Sequence, residues 1–342
     1  MNHAILKNAW YVAAWSAELQ DKPLSRTLLG HSVLLMRLSD GSVAAIGNRC
    51  PHRFAPLDRG ILVNDTIQCG YHGLRFDRTG ACVHAPGQGI PRARVPSYTV
   101  VERHHLIWLW GGDPVRADVN LVPDLSPLDD DVGHVNIVDN YMRAEADYLL
   151  VLDNLMDLSH VEFLHPKTLG SAGMSEASLT VRPLAAGVDM IRWMPGIQAP
   201  AFLATAMGYE GFVDHWLDVQ WLAPSTYILR VGITAPGAGR AAGRESISYH
   251  LITPETSSSC HYFFGSTRDF DLDHPENKEL QRAAVMRVFL EEDKPMVEAC
   301  ERMMAGNEFW SLQPVLLAGD AGAVQMRRVL TSLIAAENDL RR

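Results

Sequence analysis

The sequence predicts an α+β protein in two parts. Residues 1–114 form an all-β domain, and residues 115–342 form an α+β domain in which an antiparallel sheet is framed by helices. Three observations carry this expectation. Short β-like runs broken by turn residues fill the chain from Asn8 to about Asp113. The stretch Gly111-Gly112-Asp113-Pro114, followed by proline- and aspartate-rich sequence to about Gly133, reads as a connection between domains. Beyond it, helical patterns enclose a group of strand-like runs. With 342 residues, 47% hydrophobic and 20% charged, the chain has material for two ordinary cores.

In order along the first domain, strands are expected at Ser32–Arg37, Ser42–Ile46, Ile61–Cys69 and His105–Trp110. Asp40-Gly41 and Thr79-Gly80 are hairpin-type turn signals between them. In the second domain, Tyr148 to His165 is helical in character. Strand-like runs follow at Ile191–Trp193, Tyr227–Thr234, Ile247–Ile252 and Cys260–Phe264. Helix returns from Glu276 to Met304 and again from Asp320 to the C-terminus. There is no internal repeat and no low-complexity tract.

A formal charge of −10 and a pI near 5.7, without a lysine or arginine run, argue against a nucleic-acid partner. No apolar run is long enough to span a bilayer, and the N-terminus lacks the core of a signal peptide, so the expected location is cytoplasmic. Of five cysteines, Cys82, Cys260 and Cys300 remain once a pair is assigned below. An odd remainder does not make a disulfide framework, and these three are expected to be buried thiols.

Cys50-Pro51-His52, sixteen intervening residues and Cys69-Gly70-Tyr71-His72 form one constellation. Each short loop offers one thiolate and one imidazole. A Cys2His2 zinc finger instead places its cysteines in one close pair and its histidines in another. A Rieske [2Fe–2S] centre gives both cysteines to one iron and both histidines to the other, which suits two mixed loops clasping the cluster from opposite sides. Structural zinc is the competing occupant of the same residue types. Cys82-Val83-His84 repeats the first spacing, but no second pair follows it, so it is set aside.

A second run, Asp153 to Pro166, is equally informative. On a continuous helix Asp153, Asp157 and His160 fall at i, i+4 and i+7 and share a face. His165 precedes Pro166, where a helix is expected to end, so the chain can turn its imidazole back toward His160. Two histidines and one carboxylate with open positions make the facial triad of Fe(II) oxygenases. Val285, Val288, Phe289, Met296, Ala299 and Met303 form an apolar helix face whose centre falls at Glu292 and Asp293. A carboxylate there needs a metal or a partner arginine, and the residues alone leave both open.

With these motifs in place the chain resembles the Rieske non-haem iron oxygenases, in the branch of dicamba monooxygenase and vanillate O-demethylase. Asn8-Ala9-Trp10-Tyr11-Val12-Ala13, Cys50-Pro51-His52-Arg53, Asp153-Asn154-Leu155-Met156-Asp157 and Thr253-Pro254-Glu255-Thr256 carry the likeness along essentially the whole length. The resemblance implies a Rieske domain followed by a catalytic domain of helix-grip type. It implies one [2Fe–2S] cluster on Cys50, His52, Cys69 and His72, and one mononuclear Fe(II) on His160, His165 and Asp293. It matches Asn154 and Asp157 to the family's Asn/Asp-x-x-Asp-x-x-His-x4-His segment. There Asp157 bridges to a Rieske histidine of a neighbouring subunit, expected to be His72, and orients His160. A homotrimer follows as the expected assembly.

The implied activity is that of a terminal oxygenase. It takes O2, and electrons from NAD(P)H through a reductase or ferredoxin, to a small aromatic acid, with O-demethylation of a methoxybenzoate as the leading reaction. Hydroxylation of a ring or methyl group is the alternative, and a pure Rieske electron carrier the remaining one. The acidic surface could meet a basic patch on the donor. For substrate contacts, Arg230 and His250 stand among apolar strand residues and are expected to point into a pocket and meet a carboxylate. The branch has a substrate-contacting histidine matching His250, whereas Arg230 departs from its pattern.

Overall fold

The computed structural model describes residues 5–87, 89–170, 174, 175, 177–209, 211–270, 272 and 277–340. It divides into two units, residues 5–122 with 253–257, and residues 123–252 with 258–340. The sequence sets the connection at Pro114. The first unit instead keeps the single turns Pro114–Arg116 and Val119–Leu121, where Trp10 Nε1 donates to the Asp118 carbonyl at 2.8 Å.

The first unit is all β, in one three-stranded and two four-stranded antiparallel sheets. The three-stranded sheet joins Trp10–Trp15, Leu106–Trp110 and Val100–Arg103. A second is built on Leu24–Leu28, His31–Arg37 and Val43–Gly47, and Ser97–Tyr98 completes it. The third, which carries one candidate site, runs through Ile61–Val63, Thr66–Gln68, Arg75–Phe76 and Cys82–His84. The run expected as one strand from Ile61 to Cys69 is thus a hairpin. Asn64 and Asp65 take φ of +46° and +59°, the pair of left-handed residues that a tight two-residue turn demands. Leu34, Met36, Ile46, Leu57, Ile67 and Phe76 are buried in one cluster together with the two cysteines Cys50 and Cys69. The segment 253–257 belongs to this unit as well, through Leu29 N–H to the Pro254 carbonyl at 2.8 Å and Thr253 Oγ1 to the Val12 carbonyl at 2.7 Å.

The second unit holds a seven-stranded antiparallel sheet. Its order is Val135–Ala144, Cys260–Arg268, Arg244–Pro254, Thr226–Thr234, Phe212–Leu222, Gly187–Gln198 and Leu179–Leu184. Helices α1 (Tyr148–Met156), α2 (Val161–Leu164) and α3 (Ala201–Met207) fall between strands, and α4 (Asn277–Val288), α5 (Lys294–Met304) and α6 (Ala321–Asp339) follow the last one. Among the described residues no helix is long and apolar enough to cross a membrane. Cys82 and Cys260 are buried, as expected, but Cys300 is exposed on α5.

Two helices differ from expectation for a local reason. The segment 148–165 is not continuous: α1 ends at Met156, and Asp157 (φ −109°, ψ 89°) caps a single 3-10 turn, Leu158–His160, before α2. Asp153 therefore does not share a face with Asp157 and His160. It instead pairs with Arg327 of α6, Nη2 to Oδ2 at 2.6 Å. Between α4 and α5 lies one π turn, Phe289–Asp293. The extra residue in that turn rotates α5 by about 100° against α4. Val288, Asp293 and Val297 become the buried positions, while Met296 and Met303, expected on the apolar face, are 50% and 84% exposed. Glu276 lies outside the described residues.

Candidate metal centres

Two loops of the first unit share one backbone pattern. Cys50 N–H donates to the Ala55 carbonyl and Phe54 N–H to that of Cys50; Cys69 N–H donates to Leu74 and Gly73 N–H to Cys69, all at 2.8–3.0 Å. The fourth residue after each cysteine has positive φ, Phe54 at +60° and Gly73 at +72°. The chain thus repeats one cysteine turn, with the histidine two residues on in the first and three in the second. Gly60 and Gly70 let the turns close: a Cβ would lie 2.0 Å from the Gln68 carbonyl oxygen and 2.6 Å from that of Arg59.

Both sulfurs are buried, Cys50 and Cys69 each 2% exposed, while His52 and His72 face solvent with ring centroids 4.5 Å apart. Burial pushes the Cys50 thiol up, the His52 backbone amide opposes this, and the adjacent Cys69 sulfur adds to the rise. Two adjacent buried thiols beneath two exposed imidazoles match the donor set of a [2Fe–2S] centre ligated by two cysteines and two histidines. The arrangement separates the sulfur pair from the nitrogen pair, as that centre needs.

In the second unit His160, His165 and Asp293 bring one ligand atom each to within 4.8 Å of one another. His165 Nε2 lies 3.1 Å, and His160 Nε2 3.5 Å, from Asp293 Oδ1. Both outer ring nitrogens are engaged elsewhere, His160 Nδ1 at 2.5 Å from the Asp157 carbonyl and His165 Nδ1 at 2.6 Å from Glu292 Oε2. Such partners fix the ring and its tautomer so that Nε2 faces the common centre. Asn154 Nδ2 donates to Asp293 Oδ1 at 3.3 Å, and Thr168 Oγ1 donates to Glu292. Burial pushes the Asp293 carboxyl up, but hydrogen bonds and charge from the two imidazoles outweigh it and hold the pKa at about 2. For His165 burial pulls down, and Asp293 and Glu292 raise the pKa above the usual imidazole range.

Glu292, which the sequence sets beside Asp293 without a role of its own, acts here as the partner of His165 Nδ1. Its signal was present, since it shares the centre of the helix face with Asp293, but only the π turn lets two adjacent carboxylates reach both nitrogens of one ring. Asp157 accepts from Ser159 N–H at 3.0 Å and Ser159 Oγ at 2.9 Å, and Gly319 abuts it: a Cβ there would stand 2.5 Å from Oδ1.

All three triad residues open into a cavity of about 200 Å³ beneath the sheet. Its wall alternates along the three strands Phe212–Leu222, Thr226–Thr234 and Arg244–Pro254, with Leu217, Leu229, Val231, Ser248 and His250 facing in, and Phe264 joins them from Cys260–Arg268. Tyr227 pairs with His250 and Leu229 with Ser248, so residues 227, 229, 248 and 250 share one face. Arg230 is necessarily on the other. Its side chain is 51% exposed and ion-paired with Glu245 at 2.9 Å, and it is absent from the cavity wall, contrary to expectation. His250 lies in the wall, 2.6 Å from the Tyr262 hydroxyl and 2.9 Å from Ser248 Oγ, and burial pulls its pKa to about 3.

Comparison with known proteins agrees with this geometry. Residues 9–99 match the Rieske [2Fe–2S] domain, and residues 144–336 match the vanillate O-demethylase oxygenase C-terminal domain. Over 336 residues the chain is 41% identical to the oxygenase component of chloroacetanilide N-alkylformylase from Rhizorhabdus wittichii, covering 97% of this chain and 96% of the relative. Over 332 residues it is 39% identical to the oxygenase component of dicamba O-demethylase from Stenotrophomonas maltophilia, covering 96% and 97%. The crystal structure of dicamba monooxygenase with non-heme iron and dicamba superposes with a TM-score of 0.84 at 37% identity, over 98% of this chain and 99% of that one.

Proposed function

The chain belongs to the Rieske non-haem iron oxygenases with a vanillate O-demethylase-type C-terminal domain, and from that premise we propose that it demethylates a small methoxylated aromatic acid, releasing a phenol and formaldehyde. One observation carries the reading: His160, His165 and Asp293 converge in the wall of an apolar cavity, so an aromatic ring held there would lie beside the metal they would bind. The O-demethylase names of the relatives support the choice of reaction.

In this assignment Cys50 and Cys69 would hold one iron of the cluster, His52 and His72 the other, and His160, His165 and Asp293 the mononuclear iron. When bound, these groups supply stepwise electron delivery and O2 activation, for insertion of one oxygen atom into a methyl C–H bond. The side chains do the rest. The Asp157 carbonyl and Glu292 hold the two imidazoles in place, and Asn154 steadies the shared carboxylate. Leu217, Phe264 and Phe289 keep water from the reacting carbon. His250 stays neutral and orients substrate through its ring edge.

The electron donor in this reading is a reductase or ferredoxin that draws on NAD(P)H in the cytoplasm and approaches the exposed His52 and His72 edges. Asp157 would accept a hydrogen bond from His72 of a neighbouring copy in a homotrimer and so link the two metal sites. The test is product analysis. Holoenzyme, a reductase and NAD(P)H are incubated with a panel of methoxybenzoates, and one formaldehyde per phenol is expected. A hydroxylated product that retains its methoxy group would replace this reading with ring hydroxylation.

A further inference from the structure

A guanidinium is the strongest partner that a cavity can offer a substrate acid, and Arg230 does not supply it. The lining residues His215 and His250 are neutral, their pKa values lowered by burial to about 4 and about 3. Asp293 is committed to the two histidines of the triad. Among the described lining residues two guanidinium groups remain, Arg268 and Arg282. Arg268 is buried and tied to the protein through Nη1 to Gln281 Oε1 at 2.6 Å, through Nε to the Phe270 carbonyl at 3.1 Å, and by its guanidinium lying 5.7 Å over the Phe270 ring.

Arg282 also meets neutral acceptors, but it is half-buried rather than buried, and among the described residues no aromatic ring covers its guanidinium. The strand Val135–Ala144 has a bulge between Ile137 and Asn140, with Asp139 at φ +64°. The bulge re-aims Asn140 into the cavity wall, where Nδ2 donates to the Phe264 carbonyl at 3.1 Å and Oδ1 accepts from Arg282 Nε at 2.9 Å. The Asp139 carbonyl accepts from Arg282 Nη2 at 3.3 Å. Two neutral acceptors thus fix the guanidinium plane without cancelling its charge, and Nη1 has no protein partner among the described residues. With a rise of 1.5 Å per residue, Arg282 starts roughly 16 Å along the helix from Asp293. Arg282 and the three triad residues line the same cavity.

We propose that Arg282, set by the Asn140 bulge, binds the anionic group of the substrate through Nη1 and so points the opposite end of the ring at the His160, His165 and Asp293 centre. A charge-assisted bond from a pre-oriented guanidinium favours a carboxylate or sulfonate over a neutral group of the same shape. The proposal rests on the oxygenase reading above and adds the residue that selects acids.

The test compares 3-methoxybenzoate with 3-methoxybenzamide on the holoenzyme, by equilibrium dialysis and by formaldehyde release. The wild type is expected to prefer the acid. In Arg282→Met, Kd and KM for the acid rise about ten- to hundred-fold with kcat little changed, while the amide is unaffected. Arg282→Lys recovers part of the loss, and Arg230→Met serves as a surface-arginine control that leaves both constants alone. Iron content and the visible spectrum verify the fold of each variant. An acid Kd in Arg282→Met within twofold of wild type, or no acid preference in the wild type, overturns the inference even if demethylation stands. Acid bound through Arg282 without formaldehyde release overturns the demethylation reading and leaves the anion site in place.

Discussion

His215 and His250 are imidazoles kept neutral by their surroundings. His215 Nδ1 meets the Gly232 carbonyl at 2.8 Å deep in the sheet, and burial sets its pKa at about 4; that of His250 is about 3. In the unfolded chain both would titrate near 6.5. A folded pKa below the unfolded one means that the unfolded state binds more protons in between. The two groups therefore leave stability intact above about pH 6.5 and remove it as pH falls, down to about 4 for His215 and about 3 for His250, at about 1.4 kcal/mol per unit for each. Thermal unfolding of the second unit should fall markedly from pH 7.5 to pH 5, with a shallower slope in His215→Gln; parallel slopes would contradict the assignment. Residue identity alone did not separate such groups from binding ones. Arg230 and His250 look alike in sequence, as polar residues among apolar neighbours, but the Tyr227–His250 register puts them on opposite faces. Only the pairing of two strands reveals that.

The elements that carry the sites are irregular where the ligands sit. The metal motifs were legible because their information is local: Cys50 to His52, Cys69 to His72 and His160 to His165 each span a few residues. What was not legible is how the helices break. Asp157 reads as one more helical position, yet its side chain caps the next turn and ends α1. The strands Val135–Ala144 and Phe212–Leu222 escaped notice because Asn136, Asp139 and Asn140 in one, and Asp214, His215 and Asp218 in the other, interrupt the apolar pattern. Their polar side chains are held by specific partners instead, as when Asp214 accepts from the Gly196 and Gly237 amides. The π turn is the most consequential of these departures. Deleting the exposed Leu290 should restore an α-helical turn and swing Asp293 about 100° away from His160 and His165. That variant is expected to keep the Rieske spectrum and lose the mononuclear iron. Retention of full iron and activity would show that the π turn does not position the ligand.

At the scale of the whole molecule, two units each present one metal-ligand set, which a simple electron carrier would not require. The Rieske-type loops expose their imidazoles at the surface of the first unit, and Asp157 stands beside His160 in the second. Asp157→Asn keeps an oxygen to cap Ser159 and removes the charge, so the fold and both metals should survive. Turnover is expected to drop about ten- to hundred-fold while the cluster is still reduced by its donor. Undiminished turnover would remove Asp157 from the electron route. The predicted two-part architecture and the candidate ligand positions could be read before any coordinates. The cavity wall could not, because it is assembled from residues of five strands whose register no single stretch encodes.

Iron and acid-labile sulfide determined on anaerobically purified chain test the central claim most directly. The account predicts about three irons and about two sulfides per chain, falling to about two and about two in Asp293→Ala. A protein that holds zinc and no sulfide would contradict it.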